Sequence, residues 1–197
     1  MSIILQGSTS GSVTLQEPAV AGTTVLTLPA VSGTVLTDTS PKAGNVIQVV
    51  NVTKTDVFTT TSTSFVDVTG LSATITPTSA SSKILVCVSF CMSANSGAGY
   101  PFSRILRDST AIYVGNTAGS RTPALSTATA YGADNGYLVP TSAQFIDLPA
   151  TTSATTYKVQ ALQSAGNTTR IGATGDDTDA SNRIRTASSI VLMEIAA

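Results

Sequence analysis

Along most of its length this chain alternates apolar and polar positions in short runs, the period of strands that bury one face. Val46–Val52 is the first clear run, and a Thr-rich stretch near Asp56–Thr60 follows. Ser64–Val68 and Leu71–Thr76 are two further runs, and Thr69-Gly70 between them predicts a tight connection. Pro77–Ser82 collects turn formers, and after Lys83 comes the most apolar run, ILVCVSFCMS. One of its faces would carry Ile84, Val86, Val88, Phe90 and Met92, the other Leu85, Cys87, Ser89 and Cys91. Because both faces are largely apolar, this strand is expected at the centre of a sandwich, or between a core and a subunit interface.

Residues 94–100 read as a loop; Phe102–Arg107 and Ala111–Val114 as strands joined at Asp108–Thr110; 115–137, rich in Gly, Ala, Ser and Thr, as the longest loop. Strands resume at Ala143–Leu148, Thr156–Leu162 and Thr169–Ala173, and an acidic loop at 175–182 precedes the last run, Ile190–Ile195. Nine or ten short strands without a convincing helix predict an all-β domain, a β-sandwich or jelly roll. A closing strand this apolar must lie within a sheet, and in a jelly roll it would bring the two ends of the domain together.

The first forty residues differ. An apolar start, MSIILQ, runs into a Gly/Ser/Thr turn, and residues 13–37 then state one phrase twice: Pro18–Thr23 (PAVAGT) returns as Pro29–Thr34 (PAVSGT). Each copy follows an alternating Thr/apolar run. A repeat this short cannot close a core alone and is expected to bury its apolar positions against neighbours or partner chains. Residues 1–40 are therefore read as an extended attachment and oligomerisation segment with its linker, and 41–197 as the β-domain. Leu15, Pro18, Val20, Leu26, Leu28, Pro29 and Val31 are the candidate docking residues.

Composition narrows the function. Of 197 residues, 42% are hydrophobic and 11% charged, with net charge −1. Hydroxyls, not charges, therefore coat the exposed faces, and much surface is expected to be covered by other subunits. No basic footprint for nucleic acid exists. No apolar run is long enough to cross a bilayer, and the start lacks the pattern of a secretory signal, so synthesis and assembly in a cytoplasm are expected. The absence of His removes His-based nucleophile pairs and zinc sites. Cys87 and Cys91 would lie about 13 Å apart along one strand face, too far to bond. Gly7–Gly11 lacks the lysine of a phosphate loop.

Asp176, Asp177 and Asp179 are candidate oxygen ligands for a hard cation, though their spacing departs from calcium loops and favours a solvated loop. Asp67, Asp134 and Asp147 are the carboxylates from which a glycosidase pair would have to come, and nothing in the sequence brings two together. Arg183 and Arg185 read as interface or solvent charges. No catalytic residue, metal or cofactor is expected. Tyr100, Tyr131 and Tyr137, amphipathic rings in predicted loops, are the candidate contact residues for a host-surface glycan or protein.

Three phrases resemble structural proteins of tailed bacteriophages, particularly marine and cyanobacterial ones. GSTSGSVTLQEPAVAGTTVLTLPAVSGTVLT resembles a segment recurring in their virion proteins, TSFVDVTGLSATITPTSASSKILVCVSF the β-domain that often follows it, and SSIVLMEIA that domain's closing strand. The resemblance implies a homotrimer of jelly rolls and a virion fibre, such as a tail fibre. Such a fibre docks to other virion proteins by its N-terminal segment and presents its β-domain for host attachment and receptor binding. A capsid decoration or head-fibre protein is the alternative. A polysaccharide-degrading enzyme and a bacterial adhesin fit less well. No nucleic acid or membrane insertion is implied.

Overall fold

The computed structural model of the chain describes residues 3–6, 8–15, 42–95, 99–128 and 136–197. Contacts divide the chain into two units, Met1–Leu36 and Thr37–Ala197. In the first, β1 (Ile3–Gln6) and β2 (Ser12–Leu15) form an antiparallel hairpin in register from Ile3↔Leu15 to Gln6↔Ser12. Gly11 sits at φ +78°, a conformation that glycine adopts without a Cβ penalty. Both repeat phrases, including Pro18, Val20, Leu26, Leu28, Pro29 and Val31, lie outside the described residues. Of Leu15 the structure gives the backbone pairing.

The second unit holds eleven strands: β3 (Val46–Lys54), β4 (Phe58–Thr60), β5 (Val66–Ile75), β6 (Lys83–Ala94), β7 (Pro101–Arg107), β8 (Thr110–Ile112), β9 (Ser126–Thr127), β10 (Val139–Asp147), β11 (Thr155–Gln163), β12 (Thr169–Ile171) and β13 (Ser188–Ile195). No helix occurs among the described residues. β3 and β4 form one interrupted row beside another made of β12 and β13. That row pairs with β6, and β6 with β10. The other sheet runs β5, β11, β7, then β8 with β9. Numbering the eight rows along the chain gives sheet orders 1-8-3-6 and 2-7-4-5, all antiparallel, which is the wrapping of a jelly roll.

Period-2 alternation builds the core. Ile84, Val86, Phe90 and Met92 of β6 face Leu71 and Ile75 of β5 and Tyr157 and Val159 of β11, all at most 1% exposed. From Lys83 to Cys91 the other face of β6 is half-buried to exposed, so over this length the strand has one core face only. The ends of the domain meet as expected. Gly44 N–H donates to Ala196 O (2.9 Å), and Ala196 N–H donates to Asn45 O (2.9 Å).

Thr69-Gly70 is no hairpin. Val66–Ile75 is one strand, both halves of which pair with β11, and the register slips between Lys158 and Gln160. Asp67 and Val68 lie on the far side of a bulge at Gly70 (φ +81°), which resets the alternation so that Val68, Leu71, Ala73 and Ile75 all point inward. A Cβ on Gly70 would meet the buried Lys54 side chain at 3.7 Å. β10 also begins four residues earlier than the pattern predicts. It tolerates Pro140 because, as an edge strand, it pairs with β6 alone.

Candidate functional site

The chain enters the domain at one end and carries its predicted contact loops at the other. β6 begins beside the closing residues (Lys83↔Ile195) and ends at Ala94↔Thr169, a run of 12 residues. At ~3.3 Å per residue, its ends are about 36 Å apart. Tyr100 and Tyr137 stand at the far end, before β7 and β10, with half their surface exposed (53% and 51%). Tyr100 N–H donates to Ser164 Oγ (2.7 Å), and Ser164 N–H donates to Tyr100 O (2.9 Å), which fixes the loop before β7 to the one after β11. Tyr131 and Asp134 lie outside the described residues.

Beneath Tyr100 the end of the sandwich is polar. Gln163 continues the inward series Tyr157, Val159, Ala161 and is fully buried, yet neither its Oε1 nor its Nε2 has a hydrogen-bond partner. Gly99 covers it at φ +93°. A Cβ there would lie 2.7 Å from Ala165 O and 3.0 Å from Gln163 Oε1. Alongside, a shallow recess of about 490 Å³ is lined by hydroxyls: Thr59, Thr60, Thr61, Ser62 and Thr168. Gln163 N–H donates to Ser62 O (2.8 Å), so the recess wall is anchored to the buried glutamine's backbone.

The acidic loop holds no cation cradle. It is an excursion between β12 and β13, which otherwise continue one row. Asp176 accepts from Arg183 Nε at 2.8 and 2.9 Å, and Asp177 accepts from Arg185 Nε and Nη2 at 2.8 Å each. Arg170 donates to Gly175 O. Burial opposes ionisation of Asp176, but Arg183 outweighs it, and Arg185 does the same for Asp177, so both carboxyls sit below their ordinary range. Both arginines thus brace the loop from within, and the Arg185 side chain remains 65% exposed to solvent. Among the described residues no group of three or more His, Cys, Asp or Glu is placed to hold a metal.

The other carboxylates are committed as well. Asp67 accepts from Lys158 (2.8 Å) and Gln160 (2.6 Å), which hold its pKa down. Asp147 accepts two bonds from Arg107 Nη1 (2.9 Å) and one from the buried Tyr157 hydroxyl (2.6 Å). Burial, then the Asp147 bond, raise the Tyr157 pKa, so the phenol stays a donor. Glu194 is wholly buried near the chain-entry end. It accepts from Gln48 Nε2 (2.5 Å) and from Thr78 N–H and Oγ1 (2.7 Å each). Burial opposes its ionisation, and these neutral donors together more than compensate. The sequence reading missed Gln163, Glu194 and Tyr157, although the alternation of β11 and β13 carried the signal for all three.

The fold so defined is an all-β sandwich of jelly-roll wrapping. No protein-family model matches the chain, and no match to a curated protein was found. Among solved structures, infectious bursal disease virus of the Gt strain is similar at 15% identity and TM-score 0.38, over 98% of this chain and 46% of that one. The Gx strain structure gives 15% and 0.39, over 100% and 47%. The T=1 particles derived from that virus give 12% and 0.39, over 98% and 44%. The chain spans about half the length of these viral chains.

Proposed function

We propose that the protein is a structural virion component of the fibre or appendage type, docked to the particle by residues 1–40 and presenting its β-domain outward. Function here is contact, with no bond made or broken. One observation carries the reading: the chain enters the jelly roll at Lys42–Asn45, next to Ala196, while Tyr100, Tyr137 and the hydroxyl-lined recess occupy the opposite end. A module that enters at one end and exposes amphipathic rings at the other is built to hold a contact surface away from its anchor. The resemblance of the repeat phrases and of the closing strand to phage virion proteins supports the same assignment. So does the β1–β2 hairpin: a two-stranded hairpin is marginal by itself, and this one exposes Ile4 and Leu5. In this reading the copies associate as a homotrimer, the N-terminal segments are buried by other virion proteins, and Tyr100, Tyr131 and Tyr137 meet a host-surface glycan or protein.

Removing residues 1–40 tests it. The truncated chain should remain soluble, with the β-sheet circular dichroism of the full chain, and should be missing from particles assembled in its presence. Incorporation of the truncated chain at the full-length level overturns the attachment role.

A further inference from the structure

The recess of about 490 Å³ lined by Thr59, Thr60, Thr61, Ser62 and Thr168 is held open by its own polar groups. Ser62 N–H donates to Thr60 Oγ1 (3.1 Å), Ser64 N–H donates to Ser62 Oγ (3.1 Å), and Ser62 Oγ donates to Ser64 O (2.7 Å). Thr168 is fixed in turn: its N–H donates to Asn95 Oδ1 (2.8 Å), and Asn95 N–H donates to Thr168 O (3.1 Å). The hydroxyls of Thr59, Thr61 and Thr168 take part in none of these bonds. Each can both donate and accept.

No charged side chain lines the recess. Arg170 stands opposite Thr59 in the β4–β12 register, but its guanidinium donates to Gly175 O and acts on Asp177. Two buried amides adjoin the recess without partners. Gln163, whose N–H donates to Ser62 O, has neither Oε1 nor Nε2 bonded. Asn167, next to Thr168 in the chain, has its Nδ2 unpaired. Buried amides of this kind are satisfied by a polar ligand or by the water it carries.

We infer that the recess binds a neutral saccharide, taking one terminal sugar ring of a glycan. A sugar ring presents hydroxyls that both donate and accept, as the recess does, and brings no charge that the site would leave unpaired. An anionic ligand would meet no cation there. A peptide held by strand pairing needs an edge, and the edge at this place is β4, which pairs with β12 alone and is only three residues long. Since no aromatic ring lines the recess, binding rests on hydrogen bonds exchanged with water, which sets a dissociation constant on the order of millimolar. Several copies on one particle convert such weak sites into firm attachment. The inference rests on the outward-contact reading above and names its ligand class. Its test reads binding to the free protein, apart from incorporation into particles.

The experiment is saturation-transfer NMR on the full chain. The probes are the methyl glycosides of glucose, galactose, mannose and N-acetylglucosamine, with methyl glucuronide as the anionic comparison. At least one neutral glycoside should bind, and more tightly than the glucuronide. Thr61→Val with Thr168→Val keeps the side-chain shapes, removes two uncommitted hydroxyls, and should weaken that binding at least about fivefold with the circular dichroism unchanged. Should this pair disturb the fold, Thr59→Val with Thr61→Val, both at exposed positions, replaces it. Thr74→Val, on the outer face of the other sheet, should leave binding as it is. Failure of every neutral glycoside to bind at tens of millimolar, tighter binding of the glucuronide, or equal binding by the parent and the hydroxyl-deleted pair overturns the inference. In the last case the sugar sits elsewhere, and the outward-contact reading stands without this site.

Discussion

Glu194→Gln isolates the buried carboxylate at the chain-entry end. In the structure one oxygen of Glu194 takes both Thr78 donors, and the other takes Gln48 Nε2. A glutamine keeps one carbonyl for Thr78 and turns an NH₂ toward the NH₂ of Gln48. Gln48 cannot relieve this by flipping, because its Nε2 also donates to Thr76 O (2.7 Å), and a flip would set oxygen against oxygen. The substitution thus removes one charge-assisted bond and weakens two others. Charge-assisted bonds contribute ~1.5–3 kcal/mol each, and Thr78 can recover part of its loss from water, so the net cost is about 2 kcal/mol. For a domain of this size that lowers Tm by roughly 4–8 °C. The pH dependence fixes the mechanism. The folded pKa of Glu194 lies below its ordinary value. Its contribution is therefore complete above the unfolded pKa of ~4.3 and disappears as pH falls through the folded pKa. Melting curves followed by circular dichroism should show a constant gap between parent and Glu194→Gln from pH 7 down to about 5, narrowing in acid. A variant as stable as the parent at pH 7, or a gap that widens below pH 4, refutes the reasoning.

Two further substitutions probe the opposite halves of the molecule. Tyr157→Phe removes the hydroxyl that Asp147 accepts while leaving the two Arg107 bonds, and should cost about 1–2 kcal/mol with the fold retained; a denaturant midpoint equal to that of the parent would argue against the bond. Gly99→Ala places a methyl 2.7 Å from Ala165 O at a φ of +93° and should lower the stability by more than ~2 kcal/mol. If Gly99→Ala melts with the parent, the tight cover over Gln163 is wrong.

Much of the sandwich was legible because alternation survives in nearly every strand. The inward series of β6, β11 and β13 can be read residue by residue, and so can the meeting of the first and last strands. The reading failed where a local signal has two physical meanings. Thr69-Gly70 between apolar runs is hairpin chemistry, yet it is equally what a bulge needs. The discriminating feature is phase: Val68 and Leu71 are both inward although they are three positions apart. That inversion lets one strand keep its core face across a bulge, and a hairpin does not require it. In the acid-rich loop the pairing itself was hidden. Asp176 and Asp177 resemble cation ligands until Arg183 and Arg185 are brought back on them, and pairing across seven or eight residues has no period to reveal it. Gln163 and Glu194 were obscured by their residue types, since polar residues at inward positions are easily taken for strand ends.

Those two residues also separate the ends of the sandwich by energetics. Near the chain entry the two buried carboxylates are satisfied: Glu194 by three donors, and Asp147 by Tyr157 and Arg107 across the two sheets. Breaking either network exposes a charge that the fold has already desolvated, so this end resists opening. At the far end Gln163 is buried with both amide atoms unpaired. Each unpaired group costs about 1–3 kcal/mol of desolvation without return, and opening to water or a polar ligand recovers it. Local opening is therefore less costly beneath Tyr100 than beside Ala196. A domain with this gradient holds its shape where the chain enters and opens at lower cost where Tyr100 stands.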